Sequence, residues 1–131
     1  MLSSLALSGA DGGDGFLTAL EVLRMDMPAD LAVLSACETG RGKIVKGEGI
    51  VGLTRAFMYA GAPRVLCSLW KVDDEATQAL MLEFYKQWSP KTGDGLSAAA
   101  ALAKAQAHVR AQKQWAHPYY WSAFVLWGLP E

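Results

Sequence analysis

The chain has 131 residues, 52% of them hydrophobic and 19% charged, a balance that supports a packed core and excludes a disordered segment. A formal net charge of −1 excludes the broad basic field that attracts nucleic acid or an anionic membrane surface, and no apolar run approaches the length of a membrane span. Two cysteines, Cys37 and Cys67, are too few for a disulfide framework, and a reduced cytoplasmic protein is the expectation they support.

The start Met1-Leu2-Ser3-Ser4-Leu5 has neither the basic lead nor the long apolar core of a signal peptide. A short additional strand is expected at Leu5 to Ser8. Residues 9–15, rich in glycine and aspartate, form a loop. Thr18 and Glu21 then make a capping box, and Leu17 can staple onto Val22, so a short helix is expected at about 18–25 before Pro28.

Residues 31–36, Leu-Ala-Val-Leu-Ser-Ala, are apolar without alternation, as in a strand covered on both faces. Cys37 follows at its C-terminal end, and residues 38–46 form a loop carrying Gly40 and Gly42. Ile50, Leu53, Phe57 and Ala60 recur at helical spacing with Arg55 opposite, and Gly61 is a natural stop. Residues 65–70 make the next buried strand. Strand, helix and strand at this spacing form a βαβ unit, which is normally parallel and right-handed.

Asp73 and Asp74 open another helix with Ala76, Leu80, Phe84 and Trp88 on one face, broken by Pro90 and Gly93. An alanine-rich helix runs from about 96 to 112 with Ala98, Leu102, Ala105 and Val109 inward. The aromatic stretch 119–127 has strand propensity and is expected to be the last strand. The fold class is therefore α/β, with helices packed on a mostly parallel sheet. Three strands leave open edges that need pairing or covering, so the chain is expected to be part of something larger.

Cys37 is the first site candidate. Sites in open parallel sheets form at the C-terminal ends of strands, and the glycine-bearing loop beyond Cys37 can offer backbone N–H groups to an oxyanion. A buried structural cysteine is the alternative. Glu38 opposes an acidic thiol, so Cys37 needs a base. His108, on a helix flank, and His117, before Pro118, carry no spacing that points at it. Cys67 is expected in the core, and no metal-ligand spacing joins the cysteines and histidines.

A second candidate is Gly47-Glu48-Gly49-Ile50-Val51-Gly52, formally a G-x-G-x-x-G pattern with Asp73 about twenty residues on. About ten residues separate these glycines from the preceding strand, and Glu48 puts negative charge where a phosphate would sit, so a nucleotide site is a distant alternative. The third is Trp70-Lys71-Val72-Asp73-Asp74, which leaves another strand end. Asp73 is either an N-cap or part of a pocket wall.

Four ordered stretches closely resemble the CHAT family of caspase-like domains, which are often fused to tetratricopeptide repeats in bacteria. They are residues 31–40 around Cys37, residues 47–57, residues 68–77 and residues 117–124. The resemblance implies one partial domain over 1–131, a caspase-like three-layer α/β sandwich lacking its N-terminal strands. It also implies a clan CD cysteine endopeptidase with Cys37 as nucleophile and a peptide or protein substrate. The cleft would include Glu38, Thr39, Gly40, Trp70 and Asp73, and no cofactor or metal would be used. His117 would belong to a structural motif, and Gly47 to Gly52 would be a tight helix start. The family's general base is a histidine followed by glycine, upstream of the segment matching Leu2 to Gly9. Here His108 precedes Val109 and His117 precedes Pro118. The chain is therefore expected to be inactive alone, as a fragment, a truncated reading frame or a degenerate relative. Its expected partner is the missing N-terminal part or a second copy. A non-catalytic interaction module is the rival reading.

Overall fold

The computed structural model describes residues 4–6, 16–34, 48–88 and 95–131. Strand β1 (Ser4–Ala6) pairs antiparallel with β2 (Phe16–Thr18). The sequence reading had no second strand here. Helix α1 (Ala19–Leu23) begins on the expected capping box: the Thr18 side chain accepts from the Glu21 N–H, and the Glu21 carboxylate accepts from the Thr18 N–H at 2.7 Å. The expected loop at 9–15 lies outside the described residues.

Strand β3 (Ala32–Leu34) and β4 (Arg64–Ser68) run parallel, joined through α2 (Glu48–Ala60). Helix α2 ends in a Schellman turn, with Ala62 N–H donating to the Phe57 carbonyl and Gly61 N–H to that of Met58. Gly61 has φ +127°, and a Cβ there would lie 2.6 Å from the Met27 carbonyl oxygen, so only glycine fits. The Met27 N–H in turn donates to the last α2 carbonyl, that of Ala60, at 2.7 Å.

Helices α3 (Asp74–Gln87) and α4 (Ala98–Arg110) follow, and both are capped by side chains: Asp73 accepts from the Ala76 N–H and Ser97 from the Ala100 N–H. The expected break at Pro90 and Gly93 falls outside the described residues. After a 3-10 turn (Lys113–Trp115) comes a correction. The segment expected as one strand over 119–127 divides into a one-turn helix α5 (Pro118–Trp121) and a strand β5 (Phe124–Gly128). Pro118 at the first helical position and the His117 side chain as cap hold this turn helical against the strand propensity of its aromatics. Strand β5 pairs antiparallel with β4, so the sheet order is β3-β4-β5 with one parallel and one antiparallel pair.

Alternating residues of β4 feed two cores. Leu66 packs with the inner faces of α3 and α4, including Leu80, Phe84, Leu102 and Val109. Val65 and Cys67 pack on the other side with Val22, Leu53, Phe57 and Ala60 of α1 and α2. The sheet is thus the middle layer of three, and Cys67 is core as expected. Full burial of a side chain the size of Leu80 or Phe84 stabilises by about 1.5–3 kcal/mol each, which fixes the helices on the sheet. No helix among the described residues is long and apolar enough to cross a membrane.

Candidate functional site

Because β3 and β4 are parallel, the chain leaves both at the same end of the sheet. Cys37, Glu38, Thr39 and Gly40 follow β3 and lie outside the described residues. The segment following β4 is described, and its path is set by four contacts. Leu69 N–H donates to the Ala123 carbonyl at 2.8 Å, extending the β4–β5 ladder by one bond. The Trp70 indole N–H donates to the Tyr119 carbonyl at 3.0 Å. The Tyr119 hydroxyl donates back to the Lys71 carbonyl at 2.6 Å. The two rings lie nearly parallel, 20° apart, with centroids separated by 6.5 Å.

This reciprocal clasp joins two motifs that the sequence kept apart, residues 68–77 and residues 117–124. Val72 is buried in the α3–α4 core and anchors the far side of the loop. Asp73 Oδ2 accepts from the Ala76 N–H at 3.1 Å, so the carboxylate caps α3. Lys71 and Asp73 are otherwise exposed and Trp70 is half-buried. The loop is thus a held platform at the exit of β4. Tyr119 is the residue that the sequence reading missed. Its only signal was a tyrosine beside a proline within a stretch of strand-forming residues.

The base of the clasp is fixed as well. His117 Nδ1 accepts from the Tyr119 N–H at 3.1 Å. That bond engages Nδ1 as the cap of α5. The Ser122 hydroxyl donates to the Pro118 carbonyl at 2.6 Å, and the Trp121 indole donates to that of Ala116 at 3.1 Å. The Glu83 carboxyl of α3 is held below the usual range first by the hydrogen bond from Gln87 at 2.8 Å and then by the charges of Lys86 and of His108 and Lys104 on α4, where His108 is exposed. Gly49 and Gly52 lie inside α2, not in a turn between strand and helix, which counts against the dinucleotide reading.

The model of the CHAT domain family matches residues 1–129. Human tetratricopeptide repeat protein 28 is 38% identical over 112 residues, covering 86% of this chain and 4% of that protein. The mouse protein is 37% identical over the same span and coverage. Among solved structures, a chain of the Saccharomyces cerevisiae separase–securin complex superposes with a TM-score of 0.58 at 24% identity, over 86% of this chain and 7% of that one. At that identity the likeness shows the fold, which is caspase-like. The chain spans only a small fraction of the length of these relatives.

Proposed function

The chain belongs to the CHAT domain family, and from that premise we propose that it is the nucleophile-bearing part of a caspase-like cysteine endopeptidase. Cys37 is the nucleophile. A histidine outside these 131 residues takes the thiol proton, the thiolate attacks a peptide carbonyl, and water releases the acyl-enzyme. Glu38, Thr39, Gly40, Trp70 and Asp73 are the residues proposed to border the substrate cleft. The protein acts in the cytoplasm, where a thiol nucleophile stays reduced.

The observation that carries this reading is the parallel β3–β4 pair. It brings the exit of β3, which precedes Cys37 in the sequence, to the same end of the sheet as the clasped Trp70–Asp73 loop, and α/β proteins build their sites at such ends. The histidines support the placement of the base elsewhere: His117 spends Nδ1 on a cap, and His108 sits on α4 beside Glu83. Strand β3 has β4 on one side and no described strand on the other. That edge suits the strands of a preceding segment that carries the histidine, or a second copy in a purely interacting protein.

The test is cleavage of a peptide library by the protein that contains these residues together with the segment before them, and by the 131-residue chain alone. Cysteine-dependent cleavage by the former, abolished by Cys37→Ala, is expected, with none by the latter. Cleavage that survives Cys37→Ala, or that the isolated chain performs, refutes the reading. A preceding segment that docks on β3 without any cleavage favours the interaction module.

A further inference from the structure

The outer edge of β5 is on the opposite side of the sheet from β3 and is not used by the proposed chemistry. In an antiparallel pair, successive residues point their N–H and C=O groups alternately toward and away from the partner strand. Ala123 and Leu129 bond toward β4, through Leu69 and Pro63. With the register Ser68↔Phe124 to Arg64↔Gly128, the groups of Phe124, Leu126 and Gly128 therefore face outward. No described strand pairs with them. Strand β5 itself, Phe-Val-Leu-Trp-Gly, has no charge and no proline, the usual devices that blunt an edge.

One of these outward groups is taken, and just beyond the strand the Pro130 carbonyl accepts from the Ala99 N–H of α4 at 2.9 Å. Gln106 of α4 donates its amide to the Phe124 carbonyl at 3.1 Å. Gln106, Ala103, Ala107, Arg110 and Trp121 line an open hollow of about 300 Å³ beside this edge. The Arg110 guanidinium lies 5.6 Å from the centre of the Trp121 ring. At this volume, and lined largely by alanine and one cation, the hollow suits an amino-acid side chain better than a cofactor. The charge around it has one sign. From Gly95 to Pro130 the sequence has no Asp or Glu, against Lys104, Arg110 and Lys113. The Glu83 carboxylate faces Lys104 and His108 on the α3 side of α4, and Glu131, which follows Pro130, has its backbone carbonyl on Arg64.

We propose that the β5 edge receives an extended segment of another protein, which pairs with the backbone of Leu126 and Gly128 and sets an acidic side chain on Arg110. Strand addition supplies affinity through main-chain bonds and specificity through the pocket beside them. Gln106 fixes the register by occupying the Phe124 carbonyl, so pairing begins at Leu126. A second copy of the chain is disfavoured, because it brings its own Arg110 and its own acid-free α4 to the same interface.

The test titrates the protein with two labelled strand-forming peptides of alternating threonine and valine, one with a central glutamate and one with a central lysine, read by fluorescence anisotropy. The glutamate peptide is expected to bind about fivefold tighter, the upper end for an exposed ion pair, and Arg110→Ala is expected to erase the difference. Leu126→Pro deletes an outward N–H without touching the β4 ladder, and is expected to abolish binding of both peptides with the circular dichroism unchanged. If that variant does not fold, slowed amide exchange at Leu126 and Gly128 on adding the glutamate peptide to the unmodified protein serves instead. Four outcomes overturn the proposal: no binding of either peptide, equal affinities, undiminished binding by folded Leu126→Pro, or unchanged exchange at the two amides. Self-association of the protein that Leu126→Pro abolishes also overturns it, by assigning the edge to a second copy.

Discussion

Tyr119→Phe removes one oxygen from the protein and tests whether the clasp holds the loop after β4. The lost bond, 2.6 Å to the Lys71 carbonyl, joins two neutral groups. Such bonds contribute about 0.5–1.5 kcal/mol net. Tyr119 is 44% exposed, so water can satisfy the freed carbonyl, and the cost belongs in the lower half of that range. For a chain of this size the melting temperature should fall by roughly 2–4 °C. The ring stack with Trp70 and the indole bond to the Tyr119 backbone survive the substitution. The effect should therefore be local: amide exchange at residues 70–73 accelerates, while that of the buried β4 amides stays near the global rate. Tyr119→Ala removes the stack too, and should add roughly 0.5–1.5 kcal/mol to the loss. Hydrogen exchange read by mass spectrometry on both variants separates these cases. If exchange at 70–73 is unchanged in Tyr119→Phe, or if all amides accelerate together, the clasp does not hold the loop and the argument fails.

Phe84→Ala empties a fully buried site between α3 and α4, and should cost about 3–5 kcal/mol in chemical denaturation. Gly61→Ala meets the Met27 carbonyl at a positive φ, so it should destabilise by about 1–3 kcal/mol, whereas Gly52→Ala, at an exposed position inside α2, should be neutral or stabilising by the same measurement. Gln87→Ala removes the main cause of the lowered Glu83 carboxyl, and an NMR titration should show that group move up toward the usual carboxylate range. The sign for stability follows: a lowered folded-state value gives a contribution that is present at neutral pH and lost as the pH falls through that value, and the variant should lack this acid-side loss.

The local features were legible because their signals are local. Thr18 and Glu21 announce a capping box, Asp73 announces a cap, Gly61 announces a stop, and all three act so in the structure. The inner faces of α2, α3 and α4 follow from the spacing of residues such as Leu53, Leu80 and Val109. What escaped depends on distant partners. Apolar content alone does not encode strand direction, so β5 was not recognised as antiparallel. The helical turn Pro118–Trp121 escaped because its cap is a histidine, outside the usual Ser, Thr, Asp and Asn set. The bond from Tyr119 to Lys71 joins positions that nothing in the linear pattern relates. Cys37, on which the proposed function rests, is put forward by its place after an apolar strand and by the resemblance of its neighbours, and it lies outside the described residues.

The antiparallel return of β5 also bears on how the molecule is made. It meets β4 only after the whole of α3 and α4 has been synthesised, and it brings Ala123 and Phe124 into the core those helices share. The parallel β3–α2–β4 unit can assemble as the chain emerges from the ribosome, but one flank of β4 stays open until the closing strand arrives. The Leu66 core is therefore complete only once the C-terminal strand has docked and supplied Ala123 and Phe124.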